Sequence, residues 1–141
     1  MPFKLDAALE NDSIFVGTLD CFQVRLMNDT RFFWLLIIPE IEDVTELHHL
    51  PDNKMIHMMR LATHLGKTIM IDGSADKINT ATIGNIVSQF HLHVVGRFTN
   101  DPAWPAPVWG VGNPTPLQAD VTEQRIQIIK AALAEVASTK L

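Results

Sequence analysis

Apolar and polar residues alternate early in the chain. Phe22, Val24 and Leu26 are separated by Gln23 and Arg25, the period of two that marks a strand with one buried face. Before them, residues 13–19 (SIFVGTL) form a short β-rich run. After the turn-like MNDT, residues 31–39 (RFFWLLIIP) are nearly all apolar, as in a central strand, and Pro39 ends it. This spacing predicts an antiparallel hairpin. The period then changes. Residues 43–50 (DVTELHHL) offer Asp43 as an N-cap with Glu46 three residues on, so a helix is predicted there. From Pro51 to about Ile71, the residues Met55, Met58, Ala62, Leu65 and Ile69 recur at helical spacing. DGSAD breaks that helix, and KINTATIGN reads as a strand running towards residues 88–98 (SQFHLHVVGRF), a further strand. Residues 100–116 carry Pro102, Pro105, Pro107, Pro114 and Pro116 with Trp104 and Trp109, which excludes regular structure. A last helix starts near Asp120 and aligns Ile126, Ile129, Leu133 and Val136 on one face. The order is β-β-β-α-α-β-β-loop-α, an α+β chain with an antiparallel sheet.

Length and composition narrow the class. With 141 residues, the chain reads as one domain spanning 1–141, long enough to bury its own core. Apolar residues make up 47% and charged ones 19%, which argues against disorder. The formal net charge of −5 disfavours nucleic-acid or anionic-membrane partners, which call for clustered Lys and Arg. Cys21 is the only cysteine, so neither an internal disulfide nor a multi-cysteine zinc site is expected; it reads as a small buried hydrophobe. There is no signal-peptide pattern and no apolar run of about 18 residues. A cytoplasmic location is therefore expected.

The chemistry concentrates in one place. On the strand at 88–98, Gln89, His91 and His93 share one face, while Phe90, Leu92 and Val94 face a core on the other. Three readings account for such a row. The histidines could be core groups bonded to neighbours. They could be two ligands of a metal, although none of His48, His49, His57 or His64 stands at a diagnostic spacing for a third. Or they could serve phosphoryl chemistry, since neutral imidazole is a good nucleophile near pH 7 and a second imidazole or an amide can bond phosphate oxygens.

QFHLHVVGR resembles the signature of the histidine-triad (HIT) family, His-φ-His-φ-His-φ-φ with φ apolar, followed by Gly or Pro and Arg. FFWLLIIP is similar to the family's Leu-Val-Ile-Pro strand, and AWPAPVWG resembles the tail that closes over the site in some members. The resemblance spans nearly the whole chain. It implies a HIT-like fold with an antiparallel sheet of about five strands, helices packed on it, and the sheet continued across a homodimer. It also implies a nucleotide hydrolase or nucleotidyl transferase acting at an α-phosphate through a covalent nucleotidyl-histidine. Dinucleoside polyphosphates or nucleoside phosphoramidates would be the substrates. The nucleophile matches His91 and the third histidine matches His93. No cofactor and no metal are implied.

Two positions depart from that pattern. Gln89 stands where the family has its first histidine; an amide still donates to phosphate but cannot titrate. Trp34 stands where the family often has a histidine, five residues before Pro39, and Glu40 and Glu42 follow where Lys and His are common. Arg31 or Arg97 would compensate for the missing positive charge, with a solvated surface role as the alternative for either. The nucleotide-binding candidates are Asp29, Asn79, Asn85, Arg97 and Trp109. Asp29 and Asn85 could instead be turn residues, and Trp109 could instead cover the core. A nucleotide-binding regulatory protein with little or no turnover is the alternative function.

Overall fold

The apolar run after Arg31 becomes the middle of a sheet. In the computed structural model, which describes residues 2–139, the strands are β1 (Ser13–Leu19), β2 (Phe22–Met27), β3 (Phe33–Pro39), β4 (Lys77–Thr82) and β5 (Leu92–Arg97). Every neighbouring pair is antiparallel, in the order β1-β2-β3-β5-β4. With two strands on each side, β3 has no exposed residue, as its composition demands.

The two faces of β3 pack against different things. Phe33, Leu35 and Ile37 join Val24, Leu26, Leu92 and Val94 in the main core, beneath α2 (Asp52–Ile71) and α3 (Ala119–Thr139). Of the residues read at helical spacing, Met58, Ala62, Leu65 and Ile69 of α2 and Ile129, Leu133 and Val136 of α3 are buried, together with Leu61, while Met55 and Ile126 are partly buried against the same core. Gly96 on β5 permits the closest approach, since a Cβ there would lie 2.4 Å from Ile69 Cγ2.

Phe32, Trp34, Leu36 and Ile38 face the other way, into a second cluster with Leu9, Val95, Ala103 and Val108. This face is roofed by the proline-rich loop, the N-terminal segment and a short helix, α1 (Ala7–Asp12), capped by Asp6, whose side chain accepts from Ala8 N–H at 2.8 Å. The sequence pattern gave no sign of α1: one turn and a half with a single buried residue, Leu9, is too short for periodicity to register.

Two expectations need correction. Residues 43–50 do not form a helix from an Asp43 cap. Asp43 takes a left-handed φ of 59°, and only a 3₁₀ turn forms, Leu47–His49, with Glu46 and His49 completing a reciprocal cap. Pro51 explains the brevity, because the residue before a proline is driven to extended backbone, as Leu50 is. The strand expected over 88–98 pairs only from Leu92, so Gln89, Phe90 and His91 lie in the connection that precedes it.

Candidate active site

His91 and His93 sit beneath the second face, at the end of the 83–91 connection. Alternation holds through the unpaired part: Phe90, Leu92 and Val94 enter the main core, and the two imidazoles point the other way with ring centroids 4.8 Å apart. Both are buried, at 7% and 4% exposure. A buried imidazole must satisfy its ring nitrogens, and the partners available fix which one carries the proton.

For His91 the partner is the backbone carbonyl of Gln89, 2.7 Å from Nδ1. A carbonyl only accepts, so Nδ1 holds the proton and Nε2 keeps its lone pair. That Nε2 has no protein partner among the described residues, nor is it among the fully buried unpaired atoms, so it is the nitrogen open to solvent. For His93 the order is reversed. The indole Nε1–H of Trp34 donates to Nδ1 at 3.0 Å, which places the His93 proton on Nε2, directed at the Ile83 carbonyl 3.3 Å away. The neighbours are thus opposite tautomers. Burial, with the adjacent His91, pushes the His93 pKa down to about 4.

Two cavities meet at His91. The smaller, about 250 Å³, is lined by Thr45, Glu46, Thr82, Ser88, Asn85 and residues 83–84. The larger, about 460 Å³, is mainly apolar: Leu9, Met27, Trp34, Leu36, Ile86, Val87 and Trp109 line it, with Asp12 and Asn85 among the few polar groups. Trp109 stands edge-on to His93 with centroids 5.1 Å apart, and its buried Nε1–H has no partner among the described residues. It lines the cavity and covers the second cluster at once. Gly84 shapes the connection, since a Cβ there would sit 2.8 Å from the Val87 carbonyl oxygen.

His91, His93, Asn85 and Trp109 are therefore brought together. The other expected residues are engaged elsewhere. Gln89 donates an amide N–H to Lys4 O and its Oε1 accepts from Asp6 N–H, both at 2.8 Å, so it ties down the N-terminal segment rather than facing the cavities at His91. Arg97 is 1% exposed, forks onto Asp101 at 2.8 and 3.0 Å and bonds Asn79 Oδ1 at 2.9 Å. Neither Arg97 nor Asn79 lines these cavities, because each is the other's partner. Burial would raise the Asp101 carboxyl, but Arg97 and the N–H groups of Phe98 and Ala103 hold it below its usual range. Asp29 is 2% exposed and bonds Arg31, Arg31 N–H and Thr115 N–H. It is a turn residue that, with Arg31 reaching Val111 O, fastens the loop carrying Trp109. Missed in the sequence were Asp12 of α1 and Ile83 of the 83–91 connection as site groups; Trp34, noted there as a departure from the family pattern, reaches His93 through strand register, which no local pattern reveals. Among the described residues, no three His, Cys, Asp or Glu cluster as metal ligands would.

The HIT domain profile matches residues 8–100. The chain belongs to the histidine-triad family. It superposes on a histidine triad protein from Bradyrhizobium japonicum with 30% identity and a TM-score of 0.91, covering 94% of this chain and 99% of that one. A histidine triad protein from Marinobacter aquaeolei VT8 gives 31% identity and 0.92, over 97% and 100% of the chains. One from Sinorhizobium meliloti 1021 gives 37% and 0.83, over 94% and 96%. No curated protein matches it. Membership brings the expectation of nucleotide binding or of hydrolase or transferase activity at the coarse level. No helix among the described residues is long and apolar enough to cross a membrane.

Proposed function

We propose that this histidine-triad protein is a nucleotide hydrolase or nucleotidyl transferase in which His91 forms a covalent bond to the α-phosphorus. The observation that carries this reading is the His91 tautomer: Nδ1–H is donated to Gln89 O at 2.7 Å, leaving the solvent-open Nε2 with a lone pair at the junction of two cavities. Attack forms the Nε2–P bond and breaks the bond to the leaving group, which departs with the electron pair. The Gln89 carbonyl then faces an imidazole gaining positive charge and stabilises it. His93 Nε2–H, whose contact with Ile83 O is long at 3.3 Å, is the donor for a non-bridging oxygen brought beside it. Water or another acceptor next attacks phosphorus, loses a proton and returns the electron pair to Nε2. The apolar cavity suits a base and the polar one a leaving group.

One observation favours a second reading, a nucleotide-binding regulatory protein with little turnover. With Gln89 tied to the N-terminal segment, no titrating group stands at that position to protonate a leaving group. Rapid mixing with α-labelled nucleoside phosphoramidates and dinucleoside polyphosphates separates the two. The enzyme accumulates an acid-labile adduct on His91, and His91→Ala abolishes adduct and turnover while nucleotide affinity stays within about tenfold. Binding without adduct in the wild type establishes the regulatory reading.

A homodimer is part of the proposal. β4 is an open sheet edge, and the outer side of α2 exposes Ile56 at 48% and Met59 at 41%. Light scattering at micromolar concentration tests it: a mass near the 15.8 kDa of one chain would count against it.

A further inference from the structure

We infer that Trp34 is a positioning residue that locks His93 as a neutral Nε2–H donor, so that this imidazole serves the reaction by donating a hydrogen bond and never as an acid or base. The inference rests on the reading of His91 as nucleophile. It concerns a residue that replaces a titratable group with one that cannot titrate.

The geometry is specific. An indole N–H donates and cannot accept, so its 3.0 Å contact requires a lone pair on His93 Nδ1. Trp34 is 7% exposed and faces Phe32 and Trp109 edge-on at 6.1 Å each, which holds the ring in place. Protonating Nδ1 would set two donors against each other and leave the indole N–H without an acceptor inside the protein. The rest of the surroundings add no compensating negative charge close by. β4 pairs Ala81 with His93, the connection presents Ile83 O and Asn85, the proline-rich loop presents Trp109, and His91 lies alongside. Among the described residues lining this cavity, only Asp12 of α1, exposed across it, carries a charge. The low His93 pKa agrees with the lock.

The consequence is functional. An imidazole free to titrate near neutral pH would gain and lose its donor role with pH. Held by Trp34, His93 presents one N–H to the phosphoryl oxygens across the neutral range.

Imidazole ¹⁵N correlation spectra of the uniformly labelled protein test this, with His93→Asn identifying the His93 signals. The expected wild-type spectrum shows protonated Nε2 and unprotonated Nδ1 from pH 8 to about 5. In Trp34→Phe, which keeps an aromatic ring and removes the donor, the midpoint should rise by roughly one pH unit and both tautomers should appear. The rate of Trp34→Phe should acquire a limb at that midpoint that the wild type lacks. A wild-type His93 with its proton on Nδ1, or a midpoint and tautomer unchanged in Trp34→Phe, overturns the inference. If Trp34→Phe fails to fold, the wild-type tautomer decides alone. The spectra need no substrate, so a protein that forms no nucleotidyl adduct would defeat the His91 reading while the tautomer still judged Trp34.

Discussion

Gln89 holds the N-terminal segment from both ends of its amide, accepting Asp6 N–H and donating to Lys4 O at 2.8 Å each. This is the pairing an extended backbone would make, supplied by one side chain. Its position beside His91 suggests a phosphate contact, but Oε1 and one amide N–H are already engaged with the N-terminal segment.

The expected result of Gln89→Glu is therefore a loss of stability of about 1–3 kcal/mol, because the carboxylate would face the Lys4 carbonyl with no proton to offer. Residues 2–6 should become susceptible to limited proteolysis. Rates per folded molecule for wild type, Gln89→Glu and Gln89→His should follow the same pH profile. A new limb near pH 6 to 7 in Gln89→His would mean that the side chain reaches the phosphate after all.

Arg97 follows the same logic. Its guanidinium is buried against Asp101 and Asn79 and stacks near Phe32 and Trp104, with 5.7 Å to each centroid. Arg97→Ala leaves the Asp101 carboxylate without its cation and should cost about 3–5 kcal/mol. Denaturant unfolding should show that loss, while nucleotide affinity of the folded fraction stays within about threefold of wild type. A large affinity loss at full stability would restore Arg97 as a binding residue.

Much of the fold was legible because its signals are local. The alternation at Phe22, Val24 and Leu26, the apolar run ending at Pro39 and the helical spacing from Met55 to Ile69 each follow from a neighbour-to-neighbour period. His91 and His93 were legible for the same reason: two residues apart means one face. What sequence could not supply was pairing across the sheet. Leu36 pairs with His93 and Trp34 with Val95, and that register brings the Trp34 indole to His93 Nδ1. Asp29 and Asn79 looked available because their partners, Thr115 and Arg97, become neighbours only when the chain folds, and the loop that turns Asp101 back onto Arg97 carries no periodic signal.

The depressed His93 pKa makes a pH prediction with a definite sign. The folded value, about 4, lies below the ordinary 6.5, so between these the unfolded chain takes up a proton that the folded chain refuses. Stability from this group is complete above pH 6.5, declines as pH falls and levels off below 4, after a loss on the order of 3 kcal/mol. Urea unfolding at several pH values, compared with His93→Asn, isolates the contribution. The slope in the wild type should exceed that of His93→Asn by up to about 1.4 kcal/mol per pH unit within the window. Equal slopes would place His93 in a wetter site than the one described.

The charge around His91 predicts the leaving group. Among the described residues, no Lys or Arg lines either cavity meeting there, whereas Glu46 lines the polar one and Asp12 the apolar one. A polyphosphate leaving group would bring several negative charges beside Glu46 with no cation to offset them. Each such pair at about 4 Å costs from about 1 kcal/mol in water to about 4 kcal/mol near a protein surface. An amine leaving group, taking a proton from water as it departs, brings none. Since about 1.4 kcal/mol is tenfold, kcat/KM for a nucleoside phosphoramidate should exceed that for a dinucleoside polyphosphate of the same base by at least about tenfold. Glu46→Gln should narrow the gap by raising the polyphosphate rate, most visibly at low salt. A wild type that prefers the dinucleoside polyphosphate, or a Glu46→Gln variant that leaves the ratio unchanged, would show that cations from outside these cavities govern the choice.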